Sequence, residues 1–341
     1  MGHRCNLIIV ENGTFELFYD HWAAKDLDKE LFWGPEFARA FIEERDARPG
    51  YWVDDGWSEG GCVLDFDSRH LLWYGGQDVC WEANLNLVHA ELMARQWPDW
   101  HVEWAQNGVF DFVDKLGVPR ETVAGGRDLD VRELSQPMFF EGEAGGYSSA
   151  EAIVSYRSDN QSRVAILAGE SLSCASDGLT EASLMKLVDD FDLKTFQEHI
   201  PPAERWDCIG WGIHFDFDDQ DIKTWYPRPE EELPDRLKEK WPSFEVTHCG
   251  PDYLWHKDMF PMLEWAEPDH EATKRVLTMI RGSLEADTRN PAFSIVEALQ
   301  EHKPDTKIEL SAEVLHHRER DTSLTGRKYE ILKQLEASLY H

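Results

Sequence analysis

Two short segments set carboxylates where they could act as a pair. Asp65-Phe66-Asp67 and Asp216-Phe217-Asp218 each hold two acids two residues apart. On a strand such residues share a face, so the acids project together while the phenylalanine turns inward. Paired carboxylates can hold a divalent cation or divide acid and base roles. A plainer role competes with this. Asp67-Ser68-Arg69-His70 and Asp218-Asp219-Gln220-Asp221 read as hairpin loops, in which a leading Asp bonds the turn backbone. That reading gives Asp67 and Asp218 to turn chemistry and leaves Asp65 and Asp216 facing water.

A second candidate is Tyr19-Asp20-His21-Trp22, where a carboxylate could orient an imidazole as a base. A third is Trp52-Val53-Asp54-Asp55-Gly56-Trp57-Ser58-Glu59, three acids and two indoles ahead of a pair of glycines. Asp20, His21, Asp54, Asp55 and Glu59 are expected to share a site, with Trp22, Trp52, Trp57 and Asp65 on the surface around it. The plainer alternatives are a His21 bonded to backbone, a Trp22 in the core and a solvated acidic loop. His316-His317 and His270 lack ligand spacing, so no metal centre and no cofactor are assigned. HExxH, GxGxxG and Walker-type loops are all missing. The six cysteines form no CxxC pair and read as buried, reduced thiols.

The chain of 341 residues holds 66 Asp+Glu against 34 Lys+Arg, a net charge of −32. Such acidity opposes docking on nucleic-acid backbones or anionic membranes. Hydrophobic residues, at 42%, are enough for a core. No run approaches the ~18 apolar residues of a membrane span. Leu7–Val10 is too short for a signal-peptide core, so a soluble, cytoplasmic protein is expected.

The elements that must position these residues come in two copies. The Asp-Phe-Asp unit recurs at an offset of 151, and Trp73-Tyr74 matches Trp225-Tyr226 at 152, as if one residue were inserted. Trp97-Pro98 matches Trp241-Pro242 at 144, and the hairpin around Asn12 matches that around Asn160 at 148. Each copy reads as hairpin, helix, hairpin, helix, strand. Asn12-Gly13 between apolar runs predicts a tight hairpin turn. Gly34-Pro35 and Thr180 start the first helices. Helices over 84–97 and 230–241 stop before prolines, and 101–104 forms a closing strand. Trp73, Trp97, Trp225 and Trp241 recur in both copies and are expected in the core.

The fold class is therefore α+β, an internally duplicated, pseudo-twofold unit of antiparallel hairpins and helices with a C-terminal helical appendage. The expected divisions are repeats at 1–122 and 150–267, a linker or long loop at 123–149, and the appendage at 268–341. The appendage holds thirteen acids and eleven bases, so nearly all the charge lies ahead of it. It carries helices around Val276–Leu284, after Asn290-Pro291 and around Tyr329–Leu339. Two functions follow as expectations. One is an immunity- or inhibitor-type protein that sequesters a basic protein through an acidic, Trp-rich surface. The other is a hydrolase with its carboxylate and histidine site in the first repeat, with or without a divalent metal.

Overall fold

Asn12 and Gly13 both take left-handed backbone angles (φ 55° and 73°), the geometry of a two-residue turn that matches strand twist. They join β1 (Cys5–Glu11) to β2 (Thr14–Asp20) in an antiparallel hairpin. In the second copy Asp159 and Asn160 do the same at φ 51° and 60°, between β8 (Ala152–Ser158) and β9 (Gln161–Ala168). The computed structural model describes residues 2–80, 82–125, 138–139, 152–168, 180–190, 194, 209–227, 233–265, 269–285, 296, 299–300 and 324–339. Of the linker or long loop expected at 123–149 they include only 123–125 and 138–139, and of the helix expected after Asn290 only 296, 299 and 300.

In the first copy, α1 (Leu27–Glu30) and α2 (Pro35–Glu43) follow the hairpin, and β3 is Asp46–Ala47. A second hairpin pairs β4 (Gly60–Asp65) with β5 (His70–Tyr74). Then come α3 (Ala83–Ala94), β6 (His101–Trp104) and α4 (Val109–Leu116). The second copy has β7 (Met138–Phe139), the β8–β9 hairpin, and α5 (Glu181–Asp189), which Thr180 caps by accepting from the Ser183 amide. After these come β10 (Trp211–Asp216), β11 (Asp221–Trp225), α6 (Leu233–Lys240), β12 (Glu245–His248) and α7 (Leu254–Met259). The chain continues with α8 (Asp269–Glu285) and α9 (Thr325–Leu339).

The two sheets have the same order. One runs β3-β2-β1-β4-β5-β6 and the other β7-β9-β8-β10-β11-β12. In both, two antiparallel hairpins meet along a central parallel pair, β1 with β4 and β8 with β10, and the outer strand β6 or β12 is parallel to its neighbour. The sheets are therefore mixed. The reason is the helix between successive elements, which returns the chain to the same edge and makes the next strand parallel. Among the described residues the copies differ in the placing of the short edge strand: β3 follows its hairpin in sequence, whereas β7 precedes its own.

Register refines the alignment. Gly61 faces Tyr74 and Gly212 faces Trp225, so the offset stays at 151 through both strands and nothing is inserted. Tyr74, not Trp73, is the counterpart of Trp225. Trp73 packs with His89 of α3, and Trp225 packs with Tyr253 and Trp265. Trp73, Trp97 and Trp225 are buried, while Trp241 is half-buried.

The repeated aspartates are structural in both copies. Asp65 is buried and accepts from the amides of Asp67 and Ser68, and Asp216 accepts from Asp218 and Asp219. Asp67 reaches across to the first hairpin and accepts from the amides of Asn12 (2.9 Å) and Gly13 (2.7 Å). Asp218 does the same with Asp159 (2.9 Å) and Asn160 (2.8 Å). Each triplet thus satisfies four turn amides, two in its own loop and two in the neighbouring loop. Asp65 and Asp216 do not face water, because they terminate a strand whose next amides need an acceptor.

Two units divide the chain: residues 1–78, 89–127 and 273–341, and residues 79–88 and 128–272. In unit 1, Ile8, Leu17, Val63, Leu72 and Tyr74 pack against Val109, Phe112 and Val113 of α4. Alternate residues face the other way, toward α2 and α3. The last helix belongs to this unit: buried Lys328 of α9 bonds buried Glu30 of α1 at 2.8 Å, and Arg327 pairs with Glu36 of α2. In unit 2, α5 and α6 cover one face of the sheet through Leu184, Val188, Leu233 and Leu237. Tyr253, Phe260, Leu263 and Trp265 cover the other, joined by Ala83. Among the described residues no helix is long and apolar enough to cross a membrane.

Candidate functional site

β2 ends on Asp20, and the chain must turn there. The Asp20 carboxylate accepts from the amides of Trp22 (2.7 Å) and Ala23 (2.9 Å) and pairs with Arg45 at 3.3 Å. Its oxygens are occupied in shaping the turn. His21 is 6% exposed, bonds the Tyr19 hydroxyl through Nδ1 at 3.0 Å, and sets its ring edge against Trp22. Gly2 lies so close to it that a Cβ there would overlap the imidazole.

The loop over residues 51–59 is held from beneath. Buried Asn6 exchanges two hydrogen bonds with the Val53 backbone, both 2.9 Å, and Ser58 joins Asn6 to the Tyr74 hydroxyl. The Asp54 carbonyl accepts from the amides of Trp57 and Ser58, and Asp55 accepts from the Gly125 amide at 2.6 Å. This anchoring leaves Tyr51 48% and Trp57 62% exposed. Residues 3 and 4 link the loop to His21. The His3 amide donates to the His21 carbonyl, and its ring lies 3.6 Å from Glu59. The Glu59 amide donates to the Arg4 carbonyl, and the Arg4 guanidinium sits 4.7 Å over the Trp57 ring.

The structure thus brings His21, Trp57 and Glu59 around residues 2–4, with Asp54 and Asp55 in the adjoining turn, but Trp22 is buried at 4% exposure in the core and not on the surface. Trp52 packs partly into the α4-side core beside Phe15. Asp65 stands apart, at the far end of β4 from Glu59, paired with Lys115 at 3.1 Å. Burial works to raise its pKa, but Ser68 and Lys115 outweigh that and hold the carboxyl below the usual carboxylate range.

Sequence reasoning missed two further groups. The first is in unit 2. Where the first copy pairs Ile8 with Val63 across the central parallel strands, the second pairs Ser155 with His214. Ser155 Oγ lies 2.7 Å from His214 Nδ1 and 2.8 Å from His256 Nε2, and Trp225 Nε1 donates to His256 Nδ1 at 3.0 Å. The indole can only donate, so it fixes every proton in the chain. His256 carries its proton on Nε2 and gives it to Ser155 Oγ, and Ser155 gives its own to His214 Nδ1. His248 bonds Thr224 Oγ1 at 2.8 Å, and its Nε2 is buried without a hydrogen-bond partner. Burial lowers all three imidazoles, His214 and His248 to about 4 and His256 well below its ordinary value. A serine donating to an imidazole resembles a nucleophile with its base, but Ser155 is fully buried and no substrate atom reaches it. The group is a polar clamp inside the sheet face.

The second group sits where β5 and β6 begin. His70 pairs with His101 in register, and Glu103 follows two residues later on the same face. Glu103 Oε2 is 2.9 Å from His70 Nε2 and 3.4 Å from His101 Nε2. Among the described residues these three have the donor spacing that a metal ion requires. Lys115 Nζ approaches the other His70 nitrogen at 2.9 Å. Burial and that ammonium lower the His70 pKa, which favours the neutral imidazole. His101-x-Glu103 on an expected strand was the available signal, but His70 enters only through register. No family model, curated protein or solved structure matches the chain.

Proposed function

We propose that the protein is a binding module of the immunity or inhibitor type. It would sequester a basic protein through the loop over 51–59, with Tyr51 and Trp57 as anchors and Asp54, Asp55 and Glu59 as the acidic rim. One observation carries the reading: among the described residues Trp57 is the most exposed of the large hydrophobic side chains, on a loop pinned to buried Asn6. A rigidly displayed aromatic spares the ordering cost that weakens flexible interfaces, and tryptophan is a common binding hot spot. The Arg4 guanidinium over the indole supports a cationic partner, since that ring already holds a cation. The net charge of −32 would speed association with such a partner. The alternative, a hydrolase built on Asp20 and His21, draws no support from that pair, one committed to turn amides and the other covered by Gly2.

The test is native mass spectrometry of the tagged protein, drawn gently from its host lysate at low salt, beside Trp57→Ala and Glu59→Lys. A basic protein held by the wild type, released by salt and lost from both variants supports the reading. Equal capture by all three, or capture insensitive to salt, refutes it.

A further inference from the structure

We propose that His70, His101 and Glu103 form a divalent metal site of the zinc class at the start of the β5–β6 pair. The donor atoms already stand near the required spacing. With metal–ligand bonds of about 2.05 Å, the ligands of a tetrahedral ion lie ~3.3 Å from one another. The Glu103 oxygen is 2.9 Å and 3.4 Å from the two imidazole nitrogens. All three donors lie within 4.8 Å of one another. Imidazole and carboxylate ligands suit zinc, copper, nickel and ferrous iron, and three protein ligands leave a position open to water.

The site belongs to one copy only. The residues in register in the second sheet are Asp221, Glu245 and Thr247, so neither histidine is needed by the scaffold. The ligands also come from rigid strands, two of them from β6, an edge strand of its sheet. An ion there would tie that edge to β5.

Lys115 decides the detail. Its ammonium donates to His70 Nδ1, which places the imidazole proton on Nε2; that nitrogen lies 2.9 Å from the Glu103 oxygen but makes no hydrogen bond with it. An ion at Nε2 needs that lone pair, so the proton must move to Nδ1 and Lys115 must withdraw. Asp65, 3.1 Å from Nζ, can keep the ammonium when it does. Lys115 therefore competes with the metal, the reverse of the acceptor that usually supports a metal-bound histidine.

The test is titration of chelator-stripped full chain with Zn2+ by calorimetry, and with Co2+ by visible absorbance. One ion per chain is expected. His101→Ala, at a side chain 69% exposed, and Glu103→Gln should each weaken binding by at least about tenfold. Lys115→Met should tighten it several-fold, and His270→Ala should leave it unchanged. A residue that only supported the strand pair would not strengthen metal binding on removal. Zn2+ affinity unchanged in both His101→Ala and Glu103→Gln, or weakened in Lys115→Met, overturns the proposal.

Discussion

Lowering the pH from 7 to 5.5 should loosen unit 2 before unit 1. His214, His248 and His256 are buried and neutral when folded, whereas unfolded imidazoles take protons near the ordinary value of 6.5. A folded pKa below the unfolded one gives stability that is present above pH 6.5 and lost as the pH falls toward 4. In that window the unfolded chain binds more protons than the folded one. At pH 5.5 each group costs about 1.4 kcal/mol, and three together cost roughly 4, a large part of a domain's 5–15. Unit 1 also buries a neutral histidine, His89, lowered to about 4. There Asp28, which burial raises to about 7, opposes it. A raised carboxyl pKa means the folded state takes the proton first, so Asp28 adds stability over the same fall in pH. The two contributions nearly cancel. Hydrogen exchange by mass spectrometry, corrected for intrinsic rates, reads both units in one sample. Peptides from β8 and β10 should lose protection at pH 5.5 while those from β1 and β4 keep theirs. Ser155→Ile with His214→Val installs the first copy's pair and removes one titrating group, so the loss should shrink by about a third. Equal protection in both units at pH 5.5, or an undiminished loss in that variant, would refute the reasoning.

Glu30→Ala or Lys328→Ala alone should destabilise unit 1 by about 3–5 kcal/mol in urea, because each strands a buried charge. Glu30→Leu with Lys328→Met should recover most of that loss in the same urea series. Gly212→Ala drives a Cβ into the Trp225 ring and pushes the indole off His256, so the intrinsic fluorescence should change and unit 2 should lose roughly 1–3 kcal/mol. Asp67→Ala should free the Asn12 and Gly13 amides and speed their exchange, with Asp218→Ala doing the same to Asp159 and Asn160. NMR exchange rates at those four amides check both.

The hairpins, the helix starts at Pro35 and Thr180 and the duplication were legible because each rests on neighbours in sequence. A turn needs two residues with left-handed angles, a helix needs a cap, and a copied unit keeps both. The Asp-Phe-Asp triplet was visible for the same reason, but its roles were half right. Asp67 and Asp218 do bond turn amides, yet in the neighbouring loop, more than fifty residues away in each copy. Which acid served which turn depended on the parallel joining of β1 to β4, and no local pattern carries that register.

The remaining chemistry was decided by tertiary structure alone. Ser155, His214 and His256 lie on three separate elements, and only strand order and the seating of α7 bring them within hydrogen-bond reach. His70 and His101 meet because β6 is parallel to β5 in one register, and a one-residue slip would send them to opposite faces. The sequence determined the elements and that there are two sets of them, because short-range sterics and hydrogen bonding act between near neighbours. Which side chains meet was settled by burial of both sheet faces, a cooperative choice that fixes strand register only when the whole core packs.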